Sequence, residues 1–99
     1  MARFDVYVNS KGEGYLVDVQ SDLMSTLNTR VVVPLLPRAI APEPASRLNP
    51  IFCVEGEELV MVTQFMAAVP LKALGSAKGT LSARSFEVDE ALDMLFLGY

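Results

Sequence analysis

The sequence has no histidine and a single cysteine, Cys53. Without histidine it lacks the commonest general base and the commonest zinc ligand, and one thiol forms neither an intrachain disulfide nor a thiolate cluster. Zinc chemistry and a Ser-His-Asp triad are excluded. Basic residues are few: eight Lys and Arg stand against twelve Asp and Glu, a net charge of −4 over 99 residues. They are scattered singly, so the chain has no basic face to neutralise phosphates and does not bind nucleic acid unaided. Long apolar runs are missing too. No uncharged stretch reaches the roughly 18 residues of a membrane span, and Asp5 falls before any signal-peptide core, so a cytoplasmic protein with no membrane partner is expected. There is no internal repeat and no low-complexity tract.

What the chain has is apolar residues, 52% of the total. A protein of this length buries only about 60–70% of its surface, which leaves one domain over residues 1–99 marginal alone and favours a homodimer. Charge is uneven. Residues 1–50 balance five basic groups (Arg3, Lys11, Arg30, Arg38, Arg47) against five acidic ones, whereas residues 51–99 carry three against seven. Cys53, inside the run Ile51-Phe52-Cys53-Val54, reads as a small buried hydrophobe in a reducing compartment.

Arg3 to Val8 alternate, with Phe4, Val6 and Val8 on one face and Arg3, Asp5 and Tyr7 on the other, the pattern of a half-buried strand. Turn residues fill 9–14, and Tyr15 to Gln20 alternate again, which predicts an antiparallel hairpin. Arg30 to Leu35 is β-branched without alternation, as for a strand covered on both faces, and Pro34, lacking an N–H, is expected at an edge or bulge. Four prolines (Pro37, Pro42, Pro44, Pro50) predict an ordered excursion, neither helix nor flexible linker. Ile51–Val54 and Leu59–Thr63 flank an acidic turn, Glu55 to Glu58, as a second, smaller hairpin. Gln64 to Leu74 holds a strand interrupted by Pro70, and Gly75 to Gly79 is a loop.

The tail predicts the one helix. Ser85 is the expected N-cap, with Glu87, Asp89 and Glu90 where the macrodipole favours negative charge. At about 100° per residue, Val88, Ala91, Leu92 and Leu95 share one face, and Glu87, Asp89, Glu90 and Asp93 lie away from it. Leu97 falls about 180° from the apolar face and Phe96 on its flank. The terminal run Met94-Leu95-Phe96-Leu97-Gly98-Tyr99 is therefore either docked on the core or a recognition patch. Either reading leaves Leu97 hard to bury.

Little else has the pattern of chemistry. The carboxylates Glu55, Glu57, Glu58 and Glu87 to Asp93 read as solvated surface, because a general-acid pair needs one member raised by burial. The glycines fit turns and no phosphate cradle. Arg30, Thr63 and Glu87 have the residue types of a metal-independent ribonuclease, with nothing in their spacing to join them.

Several stretches together resemble the CcdB family of toxins: Val17-Asp18-Val19-Gln20-Ser21-Asp22, Arg30 through Val33-Pro34-Leu35, Leu48 with Pro50, Thr63, Met66-Ala67 ahead of Val69-Pro70, and a helix ending Phe96-x-Gly98-x. Order and spacing agree over nearly the whole chain, with one-residue gaps in the first turn and the Pro-rich excursion. The resemblance implies a mainly β, α+β fold: a five-stranded antiparallel sheet, a small three-stranded wing and one C-terminal helix, an SH3-like barrel related to ribonuclease toxins of the MazF type. It also implies a homodimer that is not an enzyme and needs no cofactor or metal. Such proteins bind the A subunits of DNA gyrase and trap its cleavage complex with DNA. A cognate antitoxin neutralises them, and operator DNA is bound only through the toxin–antitoxin complex.

By position, the resemblance places the gyrase-binding set on Leu23, Met24, Asp93, Phe96, Leu97, Gly98 and Tyr99. Leu97 stands where the family has a Trp that stacks on a gyrase arginine, Asp93 where it has Asn, and Tyr99 where it has Ile. Tyr99 or Phe96 is then the candidate source of the missing ring. The Asn9 to Gly14 loop does not match the family's antitoxin-facing residues. Two other readings stay open: a ribonuclease toxin on the same fold, and a non-toxic descendant kept as an antitoxin-binding regulator.

Overall fold

A computed structural model describes residues 2–99, and one long strand organises it. The strands are β1 (Asp5–Val8), β2 (Tyr15–Asp18), β3 (Thr29–Pro37), β4 (Ile51–Val54), β5 (Glu57–Met61), β6 (Ala67–Pro70) and β7 (Gly79–Thr80), followed by the helix α1 (Ser85–Leu97). β1 pairs with β2 as Val6↔Val17 and Tyr7↔Leu16, the expected hairpin. β3 pairs with β2 on one side. On its other side it pairs first with β6 (Thr29↔Pro70 to Val32↔Ala67) and then with β5 (Leu35↔Met61 to Pro37↔Leu59). The five strands β7-β1-β2-β3-β6 and the three-stranded wing β3-β5-β4 therefore share β3, all antiparallel, in a nearly closed barrel-like sheet. The fold class read from the sequence is the one observed.

Pro34 sits inside this central strand, neither on an edge nor at a bulge. Its carbonyl accepts from the Val62 amide at 2.9 Å. In an antiparallel ladder a residue's N–H and C=O point to the same side, so the bond lost to proline is the return bond to the Val62 carbonyl, one position past the end of β5 at the hand-over from β6.

Other expectations are corrected in detail. Tyr7, placed on the outer face, is buried with Val32 and Leu74, because the loop after β6 covers that side of the sheet. Val8, placed inside, is exposed at the end of the hairpin. Cys53 is exposed on β4, which has a partner on one side only. Glu57 and Glu58 are strand residues: Glu55 and Gly56, at φ +49° and +80°, close the hairpin as a two-residue turn. Ser85 is the first helical residue, not the cap, since a 3-10 turn over Ser82–Arg84 runs into the helix and no side chain caps it.

The main core joins Val6, Val17, Val33, Leu35, Phe52, Leu59 and Met61 to Val88 and Ala91 of the helix. The Pro-rich excursion, expected over 36–50, begins later, since Leu36 and Pro37 still pair in β3; residues 38–50 lack strand and helix and are held by Asn49. That buried amide donates to the Met61 carbonyl (3.1 Å) and to Gln64 Oε1 (2.8 Å), and its oxygen accepts from the Ala45 amide (3.0 Å). Asn49→Ala strands these partners, and a loss of about 1–3 kcal/mol in urea unfolding is expected. An unchanged midpoint would show that the excursion is held by other contacts.

Candidate functional site

Helix α1 presents two stripes. Val88 and Ala91 are fully buried and Leu92 and Leu95 partly so, as the periodicity predicts. The opposite side ends in Phe96 (67% exposed), Leu97 (63%) and Tyr99 (67%), so the chain end is an exposed apolar patch and does not dock back on the core. Gly98 makes the end: at φ +81° it breaks the helix, and its amide donates to the Asp93 and Met94 carbonyls, both at 3.2 Å. Any other residue there would be strained. Along the helix Glu87 pairs with Arg84, Asp89 with Arg3 and Glu90 with Arg47. Among the described residues Asp93 has no ion pair and lies one turn before Leu97. The Arg84 guanidinium holds the Glu87 carboxyl below its ordinary value, and the same contact raises Arg84.

Leu23 and Met24 lie on a 3-10 turn, Asp22–Met24, whose start is capped by Ser21 Oγ accepting from the Leu23 amide at 3.1 Å. Leu23 is 86% exposed. Beneath the turn is a buried ion pair, Arg30 with Asp18, Nε to Oδ2 at 2.8 Å, the two side chains 1% and 0% exposed. Burial pushes the Asp18 carboxyl above its ordinary value, against the opposing pull of Arg30. Asp18 Oδ1 accepts from the Gln20 amide (3.0 Å), and Gln20 Nε2 in turn donates to the Met24 carbonyl (3.1 Å). The turn is thus fixed from below by the strand ladder.

The seven residues singled out from the sequence are all on the surface, in two groups. Asp93, Phe96, Leu97, Gly98 and Tyr99 share the helix end, whereas Leu23 and Met24 stand on the turn after β2. No hydrogen bond or ion pair joins the two groups directly among the described residues. The apolar surface also includes Leu27, Phe65 and Phe86, which the sequence reading left out. Phe86 was within reach: at about 160° from Val88 it falls outside for the reason Leu97 does. The ribonuclease types do not assemble. Arg30 is buried against Asp18, Thr63 is buried with its hydroxyl on the Leu48 carbonyl, and Glu87 is held by Arg84. A concavity of about 540 Å³ lies between the first hairpin loop and Pro37 and is lined by none of the seven. Among the described residues no group of three or more acidic or Cys side chains is placed to hold a metal.

The family model described as CcdB protein matches residues 3–98, from Arg3 to the glycine that ends the helix. The chain belongs to the CcdB family. Membership makes it the toxin side of a toxin–antitoxin pair. The match runs through every element in order and includes all the singled-out residues except Tyr99, one position beyond it. Among the described residues, this CcdB-family protein has no helix long and apolar enough to cross a membrane.

Proposed function

We propose that this protein is a single-domain, homodimeric, cytoplasmic toxin that binds the A subunits of DNA gyrase and traps the cleaved DNA complex, acting by contact and not as an enzyme. The observation that carries the proposal is the exposed end of α1: three large apolar side chains with the Asp93 carboxylate beside them, on a chain of this family. Such a patch suits a protein partner better than solvent. A cognate antitoxin neutralises the toxin, and the acidic toxin reaches operator DNA only through the complex, in which the antitoxin supplies the basic surface.

The test is a cleavage assay with purified gyrase, ATP and supercoiled plasmid, in which covalent complexes are trapped by detergent. Linear DNA that depends on this protein is expected, together with its loss when antitoxin is added. If the folded protein gives no linear DNA at any concentration, the reading passes to the non-toxic descendant. Tyr99→Ala then asks where the ring comes from: reduced cleavage is expected if Tyr99 replaces the family's Trp.

A further inference from the structure

We infer that Arg3 is a positioning residue that locks the Asp22–Met24 turn to helix α1, so that the two separated parts of the binding surface reach a partner as one. The inference rests on the reading that both parts engage the same target. Three bonds from this one residue carry it. Its backbone amide donates to Asp22 Oδ1 at 2.9 Å, its Nε donates to the Val19 carbonyl at 2.9 Å, and its terminal nitrogen lies 2.8 Å from Asp89 Oδ1. Asp22 heads the turn that bears Leu23 and Met24. Asp89 lies one helical turn before Asp93, on the same helix as Leu97. Arg3 thus supplies the polar link that direct contact between the two groups does not.

The backbone beside it gives a second, independent observation. Phe4 has φ +77°, a conformation that a bulky side chain rarely adopts and that persists only where its surroundings enforce it. They do so here. The Phe4 amide donates to the Asp18 carbonyl at 2.7 Å, its carbonyl accepts from the Leu81 amide at 2.9 Å, and the Asp5 amide closes a turn on the Ala2 carbonyl at 3.1 Å. That turn takes Arg3 off the line of β1 and across the end of β2, where its guanidinium lies 4.6 Å from the Phe4 ring centroid. An unstrained residue 4 would continue the strand and carry Arg3 away from both carboxylates.

An exposed ion pair contributes little to stability, and the side chains of Arg3 and Asp89 are 27% and 48% exposed. The contribution of Arg3 is therefore expected in geometry. The experiment measures both on the full-length protein. Spin labels on Ser25→Cys and Phe86→Cys, with Cys53→Ser removing the native thiol, report the distance between turn and helix by pulsed electron resonance. With the doubly labelled protein diluted into excess unlabelled protein, so that only distances within a protomer are read, one narrow distance is expected with Arg3 and a broadened one in Arg3→Ala, with the thermal midpoint nearly unchanged and affinity for the gyrase A subunit reduced about tenfold, the cost of losing a preorganised surface. Arg3→Lys, which reaches one acceptor at a time, should fall between. Should Arg3→Ala lose stability, Asp89→Asn keeps the bonds to Val19 and Asp22 and is read in its place. An unchanged distance distribution overturns the inference. If wild-type protein fails to bind gyrase A, the proposed function fails and the distances alone decide for or against Arg3.

Discussion

Arg30→Met is expected to destabilise the protein by about 3–5 kcal/mol, because it leaves Asp18 buried at 0% exposure without its cation. Small domains have only about 5–15 kcal/mol in total, so this one change consumes much of it. A fall in the urea midpoint without a change in slope is the expected signature. The effect has a pH sign. Burial raises the Asp18 carboxyl, so the folded protein binds its proton more tightly than the unfolded chain, and Arg30→Met removes the pull that opposes the shift. The variant's stability should therefore be greatest in acid and decline as pH rises from the ordinary carboxylate value through the raised folded one. Replacing both residues, Asp18→Leu with Arg30→Met, should cost less than Arg30→Met alone, since no charge is then stranded. Equal losses in the single and double variants would show that the pair is incidental.

Leu97→Trp should have the largest effect on function. Leu97 is exposed, so an indole is accommodated without disturbing the core. An aromatic face on a partner guanidinium contributes about 0.5–2 kcal/mol, and two copies per dimer should lower the protein concentration needed for half-maximal DNA linearisation by roughly one to three decades. No gain, with Tyr99→Ala strongly impaired, would mean that Tyr99 already supplies that ring. No gain, with Tyr99→Ala fully active, would sink the stacking account.

The sequence revealed whatever repeats along one element. The strands β1, β2 and β3 and the helical period of α1 were found where expected, although the inside–outside assignment of β1 failed at Tyr7 and Val8. Helical geometry also put Leu97 outside, and with it the character of the candidate site. What the sequence hid depends on contacts between distant elements. Tyr7 is buried because the Leu74 loop lies over it, and no periodicity within β1 encodes that cover. Cys53 sits in an apolar run, but it alternates with the buried Phe52 and Val54 and so faces the other, exposed side of β4, which the apolar character of its neighbours hides. Pro34 is tolerated because two partner strands meet beside it. The link through Arg3 was the least visible of all, since it depends on a positive φ at a phenylalanine, which no residue preference foretells.

The pairing of β1 with β7 joins distant parts of the chain: Thr80 Oγ1 donates to the Phe4 carbonyl across 76 residues. Pairings of such long range form slowly, since the intervening chain must be ordered before they are rewarded. On the ribosome β1 emerges well before β7, so that strand waits without its outer neighbour until Gly79 and Thr80 follow. Helix α1 follows β7 in sequence, so whatever its exposed end binds, that surface emerges only after every strand of the sheet that carries it.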